Sequence, residues 1–475
     1  MLEKCVILQY NQIIKTERGM VMAKFDIVIV GASTAGSYFA RRMSEKGFSV
    51  LMIDKSSKER ISPDYDIFHM GKAEMKRFGL PEVQKGDGIF AFEFSEQYMY
   101  SAFGGHPKPS PTAVVGMHKH DYIVRMNEWA EETGATIEYE ASFVECTYDE
   151  NGKICGLIYE KNGEKTAVEC RLVADCSGIP AVVRRSLPDS YGIEKFELTS
   201  DDILYVILKY IDFTDKKEEW LKSHFWIAYK SWIAPSKGTD ALIGIGSCFG
   251  FDYAEKVYEQ FSKNVKLPSH TVKYIERGRT PYHRSPYSFV ADGFICLGDA
   301  ACMTKPNCGE GCTAALVLEN IAIDIACDAM QNGAYPTREA LWSINKKYND
   351  TQGKEFAGLM ALLSSLVRHS PKANEFLFRH DVIFSKKILA GMEEGLTLDI
   401  TDYLKTLIFV IIGLASRNIK ISEIKSILKG VINSGKLTEL YARFPSTPDG
   451  FEEWVKEAEE LWKKAGKLAD WKPLG

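Results

Sequence analysis

Nothing in this sequence supplies the run of about 20 apolar residues that a membrane-spanning helix requires. The longest candidates, Leu407–Ala415 and Phe356–Val367, are both too short. A basic excess is also missing: the formal net charge is −5, which argues against a dedicated nucleic-acid binder. The first 22 residues hold no apolar region followed by a small-residue cleavage site, so no signal peptide is expected. Eleven cysteines occur without a regular framework in a 475-residue chain. That usage is expected of reduced thiols in a cytoplasmic protein rather than of a disulfide scaffold. No internal repeat and no low-complexity stretch is found. What remains is a globular composition, 45% hydrophobic and 26% charged, in a chain long enough for two or three interlocked domains.

The first feature with chemistry in it is the stretch Gly31-Ala32-Ser33-Thr34-Ala35-Gly36. It follows a β-branched run, Phe25–Val30, that suits a buried parallel strand, and it opens a helical pattern. Gly31 permits a tight turn, a small residue at Ser33 lets backbone approach a pyrophosphate, and Gly36 lets helix pack on strand. The helix start would offer free N–H groups to phosphate. A second buried strand, Ser49–Ile53, closes on Asp54, 23 positions after Gly31 and placed to accept from a ribose. A purely structural turn is the competing reading, but the strand–turn–helix–strand–acid order favours a dinucleotide site.

Two further corners resemble returns to that site. Ala174-Asp175-Cys176-Ser177-Gly178 follows a buried strand, with Arg184 and Arg185 close behind. Leu297-Gly298-Asp299-Ala300-Ala301 follows the short run Phe294–Leu297, and Pro306 and Gly309-Glu310-Gly311 then open a long helix to about Asn332. Asp299 could hold hydroxyls of a cofactor chain, and the helix start could stabilise negative charge. An ordinary corner with a capping aspartate is the plainer alternative.

Taken in order, these motifs resemble the FAD-dependent class of hydroxylases, halogenases and geranylgeranyl reductases. Three details are similar to the geranylgeranyl reductase branch: Trp232-Ile233-Ala234-Pro235, Ile243-Gly244-Ile245-Gly246 and Cys308-Gly309-Glu310-Gly311. Tyr229 precedes Trp232 by three positions where that branch has two, and Ala234 stands where it has phenylalanine. The resemblance implies an α/β fold: a Rossmann-type FAD-binding domain, an interleaved antiparallel β-sheet substrate domain and a C-terminal helical region. It implies FAD contacts at Gly31, Ser33, Thr34, Ala35, Gly36, Asp54 and Lys55. Lys119, Asp175, Gly178, Gly298 and Asp299 follow, then Pro306, Gly309, Glu310, Gly311 and Cys312. NAD(P)H or a ferredoxin would reduce the flavin, and no second GxGxxG unit decides between them.

Patterning divides the chain into an N-terminal extension (1–22), an FAD-binding unit with insertions (23–190) and a β-sheet substrate domain (191–290). A return to the FAD unit (291–334) and a helical region (335–475) complete it. Residues 56–110 read as an irregular insertion. Thr136–Glu145, Lys153–Glu160, Thr166–Val173, Ile203–Phe213, Phe225–Ile233 and Ala241–Phe249 read as strands.

The expected reaction is saturation of C=C bonds in a polyprenyl lipid or quinone tail, with aromatic hydroxylation or halogenation as the alternative. Electron transfer to a partner protein is a third reading. Candidate catalytic residues are Cys308, Trp232 and Tyr229, and Trp226, Tyr229 and Trp232 either line a cavity or sit in core. Cys302, Cys308 and Cys312 match no zinc spacing, so no metal is expected; they pack, or supply a redox-active or protonating thiol. Any of His69, His106, His118, His120 and His283 could give up a proton. Phe451–Trp471 carries apolar residues at helical spacing and either docks on the protein or lies transiently on a membrane surface.

Overall fold

The computed structural model describes residues 23–62, 67–95, 97–110, 113–215, 223–226, 230–236, 238–366, 370–383, 385 and 400–466. The extension 1–22, Tyr229 and the end of the expected helix at Trp471 fall outside them.

Short β-branched runs build the central sheet. Ile27–Val30 and Val50–Ile53 are buried at every position, as parallel strands covered on both faces must be. They pair in parallel, from Ile27 opposite Val50 to Val30 opposite Ile53. Leu172–Asp175 joins the other side of Ile27–Val30 and is followed by Phe294–Cys296, while Thr136–Glu138 extends the far edge. Antiparallel Val290–Ala291 completes six strands. Three segments distant in sequence thus end side by side, at residues 31, 176 and 297. Helix Thr34–Glu45 packs against helices Lys119–Glu132 and Cys312–Ala329.

A second, mostly antiparallel sheet of seven strands runs in the order His270–Pro281, Ile203–Phe213, Ala241–Ser247, Ser231–Pro235, Ser223–Trp226, Gln97–Tyr100, Lys108–Ser110. Ile67–Gly71, Val114–His118 and Phe90–Phe94 form a third sheet. A fourth holds Ala23–Lys24, Glu164–Glu169, Ile154–Lys161 and Ala141–Tyr148. The expected α/β fold, with an FAD-type Rossmann unit, an antiparallel sheet and C-terminal helices, is the fold observed.

Several boundaries differ from expectation, each where one apolar run serves two sheets. Thr136–Glu145 breaks at Glu140, which takes φ +57° and sends its amide to Ser56 O. Thr166–Val173 breaks after Glu169, where Arg171 N turns to Asp26 O. Phe225–Ile233 is a hairpin rather than one strand: Ser223–Trp226 pairs with Ser231–Pro235. Residues 56–110, expected to be irregular, contribute strands to two sheets and a helix, Lys72–Arg77.

At the C-terminal end, helix Phe451–Ala465 buries Phe451, Trp454, Ala458 and Ala465, and Trp454 Nε1 donates to Leu440 O at 2.9 Å. Its apolar stripe is therefore core, which removes the membrane-surface alternative for this helix. Among the described residues nine cysteines are free thiols, while half-buried Cys155 is disulfide-bonded.

Candidate functional site

The three adjacent strand ends open on a cavity of about 1520 Å³. Glycines behind its lining, Gly31 and Gly36 among them, set how closely the corners approach. A Cβ on Gly31, at φ +110°, would meet Cys176 O at 2.2 Å, and one on Gly36 would meet Gly31 O at 1.8 Å. These two contacts pull the first loop down onto the neighbouring corner and the helix onto the loop. A Cβ on Gly298 would stand 2.7 Å from that of Ala35, so the third corner also closes on the same helix.

Two helix starts face the cavity. Ser33, Thr34 and Ala35 line it at the head of Thr34–Glu45, and Ser33 makes no side-chain cap. Gly311 and Cys312 line it at the head of Cys312–Ala329, again uncapped by a side chain. Free amides and two positive dipole ends suit an anionic dinucleotide whose other end carries charge when reduced. The residues present therefore fit FAD.

The other expected contacts separate into two groups. Lys119, Gly178, Gly298, Asp299, Gly309 and Glu310 line the cavity, and Asp299 Oδ1 lies 3.4 Å from where a Cβ on Gly311 would stand. Asp54, Lys55, Asp175 and Pro306 do not line it. Asp54 braces the phosphate loop instead, accepting from Ala32 N at 2.9 Å and Ser56 N at 2.8 Å. Lys55 is exposed. Asp175 is fully buried and holds its own turn, with Oδ1 taking Ser177 N and Oγ and Oδ2 taking Arg184 N. Pro306 anchors its loop by accepting from Tyr282 OH at 2.7 Å. Arg184, also buried, donates to Ala300 O at 3.1 Å and to Glu194 O, tying the third corner to the second.

Away from the phosphate end, the walls are apolar: Phe92, Phe94, Leu208, Trp232, Ala234 and Leu242. The hairpin decides which tryptophan belongs to them. Trp232 pairs across from Phe225 and Gly244, on the cavity face, whereas Trp226 points the other way and is 1% exposed, packed on Phe261. Gly244 and Gly246 alternate with buried Ile243 and Ile245, so past Leu242 the cavity side of that strand carries no side chain at either position.

Polar groups gather beside the Gly309 loop. Lys305 Nζ and Glu310 Oε2 are 2.9 Å apart. Burial pushes the Glu310 carboxyl up, but Lys305 and a Thr313 hydrogen bond outweigh it and hold it below its usual value. Cys308 faces the cavity, and burial together with Glu310 raises its thiol, which stays protonated. Among the five histidines, His69 lines the cavity, and burial holds it below the usual imidazole value. Cys302 is buried away from the lining, its thiol pushed by burial up to about 12.

Two groups escaped sequence reasoning. Lys230, at φ +44° in the hairpin, buries its Nζ without a hydrogen-bond partner, and burial lowers its ammonium. Glu319 is buried in helix Cys312–Ala329 with neither oxygen hydrogen-bonded, and burial pushes its carboxyl well above the usual range. A lysine in a loop and a glutamate in a helix carry no sequence signal of burial. Among the described residues, no cluster suited to a metal ion is found.

Residues 24–233 match the family of FAD binding domains. Over 470 residues the chain is 23% identical to a digeranylgeranylglycerophospholipid reductase from Sulfolobus acidocaldarius, covering 94% of this chain and 98% of that protein. This is an FAD-dependent oxidoreductase that resembles the geranylgeranyl reductases. A geranylgeranyl bacteriochlorophyll reductase-like structure from Thermoplasma acidophilum shares the fold with a TM-score of 0.66 at 18% identity, over 93% of this flavoprotein and 100% of that chain. A flavin-dependent brominase shares it with a TM-score of 0.60 at 17% identity, over 84% and 100%.

Proposed function

We propose that this flavoprotein saturates C=C bonds in a polyprenyl chain, such as a geranylgeranyl-type lipid or a quinone tail. One observation carries the reading. The cavity that receives the cofactor continues past the Gly309 loop between apolar walls, and its size exceeds the roughly 300–1,000 Å³ usual for a small ligand. The similar reductases act, by name, on geranylgeranyl lipids, which is the kind of substrate such walls suit.

FAD held at the two helix starts and reduced by NAD(P)H or a ferredoxin would supply the hydride for one alkene carbon. An isolated alkene is a poor electrophile, so position and dryness must do much of the work. Phe92, Phe94 and Trp232 exclude water and hold the chain. The second carbon needs a proton, and Cys308 is a cavity-lining group that keeps one at neutral pH, whereas His69 is held neutral by burial. Lys230, whose charge acts on Cys308, would stabilise the thiolate left behind. The proposed cofactor contacts are the cavity-lining residues at both helix starts, together with Lys119, Gly178, Gly298 and Asp299.

Lipids extracted from the purified yellow protein test the substrate class. Mass spectrometry should find prenyl chains differing by whole H₂ steps. A bound aromatic compound, with hydroxylated or halogenated derivatives, would replace this reading with the monooxygenase one that the brominase likeness also accommodates.

A further inference from the structure

Two consecutive helices, Ile400–Ala415 and Ile421–Ala442, turn apolar side chains to solvent. Of the thirteen exposed large hydrophobics among the described residues, eight lie here: Leu407, Ile408, Ile411 and Ile412 on the first helix, Ile421, Leu428, Val431 and Ile432 on the second. Their exposure runs from 45% to 66%, so these are whole side chains and not edges. Contiguous apolar surface of this extent marks a contact face.

The inner sides of both helices are already committed. Gly413 sits against Ile419 and Phe376, and Phe409 stacks on His380 at 4.5 Å. On the second helix Gly430, Asn433, Leu437, Leu440 and Tyr441 are buried, and Asn433 donates to Lys464 O. The outward face is thus a fixed side of folded helices.

Its charge says what it meets. Lys425, Lys429 and Lys436 are exposed among the apolar residues of the second helix, with Arg417 and Lys420 at the turn. The acids are few: Glu439 is exposed, while Glu423 is turned inward to Ser370 N and Lys420 N. This cationic, apolar face belongs to a chain whose net charge is −5. Apolar side chains interleaved with lysines suit the headgroup boundary of an anionic bilayer, where lysine stems lie along the apolar surface and their ammoniums meet phosphates. Among the described residues no helix is long and apolar enough to cross a membrane, so the contact would be with one leaflet.

The cavity lies behind these two helices. Helix Lys354–Leu366 meets the second helix on one side, where a Cβ on Gly358 would lie 2.3 Å from Thr438 Oγ1. Its other side, at Leu359 and Leu363, lines the cavity, as do Asn374 and Ile383 beside the first helix. We infer that the outward face of Ile400–Ala415 and Ile421–Ala442 is a docking surface for an anionic lipid bilayer. This stands on the surface alone and does not require the reaction proposed above.

Flotation of the flavin-loaded protein with vesicles tests it. Phosphatidylglycerol vesicles should carry the protein upward, and phosphatidylcholine vesicles should do so much less. Ile408→Asp with Val431→Asp should cut binding to phosphatidylglycerol by about tenfold or more, with FAD content and melting temperature unchanged because both positions are exposed. Lys425→Glu with Lys429→Glu should abolish the preference for the anionic lipid. Failure of the parent to float, or equal flotation of parent and Ile408→Asp/Val431→Asp, would overturn the inference. So would a parent dimer that this pair of substitutions splits into monomers, since the face would then join two copies of the chain. Flavin-dependent turnover of a detergent-dispersed substrate is a separate readout, so loss of docking and loss of the proposed reaction can be told apart.

Discussion

The indole of Trp232 occupies the space a side chain at position 244 would need: a Cβ on Gly244 would lie 2.0 Å from its Cε2. The glycine lets the ring lie flat on the sheet and form a wall of the cavity. Trp226, six residues earlier on the partner strand, packs into the opposite face with Phe261 and Tyr100.

The two tryptophans should therefore respond differently to truncation. Trp226→Ala removes a fully buried indole and should cost about 3–5 kcal/mol of stability. Trp232→Ala enlarges the cavity, so lipid reduction should fall much further than the melting temperature, with flavin absorbance near the parent's. Thermal midpoints and reduction rates on both variants check this. A large loss of stability in Trp232→Ala with normal activity per flavin would return that residue to the core.

Gly31→Ala should already be too large a change. Its methyl would press on Cys176 O, and φ +110° is strained for any L residue. The expected product is flavin-free or fails to fold, read as FAD absorbance per mole of soluble protein. Stoichiometric flavin in this variant would contradict the loop geometry.

Asp299 should matter for cofactor retention more than for the fold. It lines the cavity and is half-buried rather than core. Loss of a charge-assisted contact is typically worth about 1.5–3 kcal/mol, so Asp299→Ala should weaken FAD affinity by roughly ten- to a hundredfold. The apo-protein melting temperature should be little changed. Equal FAD affinity in variant and parent would remove Asp299 from the cofactor contacts.

Buried Glu319 predicts a pH dependence of stability. Burial raises its folded-state pKa well above the ordinary 4.5, so the folded protein keeps a proton that the unfolded chain releases. Below the ordinary value both states hold the proton and nothing is lost. As pH rises above it, the parent loses up to about 1.4 kcal/mol per pH unit until the folded group itself titrates. Glu319→Gln abolishes that loss, so its advantage in melting temperature should grow as pH rises above about 5. A constant difference across that range would mean that Glu319 ionises freely in the fold.

The corners that line the cavity were legible in the sequence because each leaves a residue mark. Gly31 and Gly36 are required by backbone approach, and Gly298–Asp299 and Gly309–Gly311 by a strand corner and a helix start. What was hidden depends on which sheet a strand joins. Phe225–Ile233 reads as one strand because Trp226 and Trp232 keep even spacing across a hairpin that periodicity cannot see. Asp175 reads as a ligand because an acid at a strand end is a common contact, yet Ser177 and Arg184 claim both of its oxygens. Phe92 and Phe94 belong to a segment that lacks clear alternation, and they became walls only when Val114–His118 was set beside them.

Reduction of a polyprenyl alkene by this flavin is the central claim, and anaerobic mixing tests it most directly. The protein, its FAD first reduced and excess reductant removed, is mixed with a geranylgeranyl lipid under strict exclusion of oxygen. The oxidised flavin absorbance should return, and each flavin turned over should add one H₂ to one C=C bond of the lipid by mass spectrometry. Flavin that stays reduced with the lipid, yet reoxidises with oxygen and hydroxylates an added aromatic compound, would contradict it.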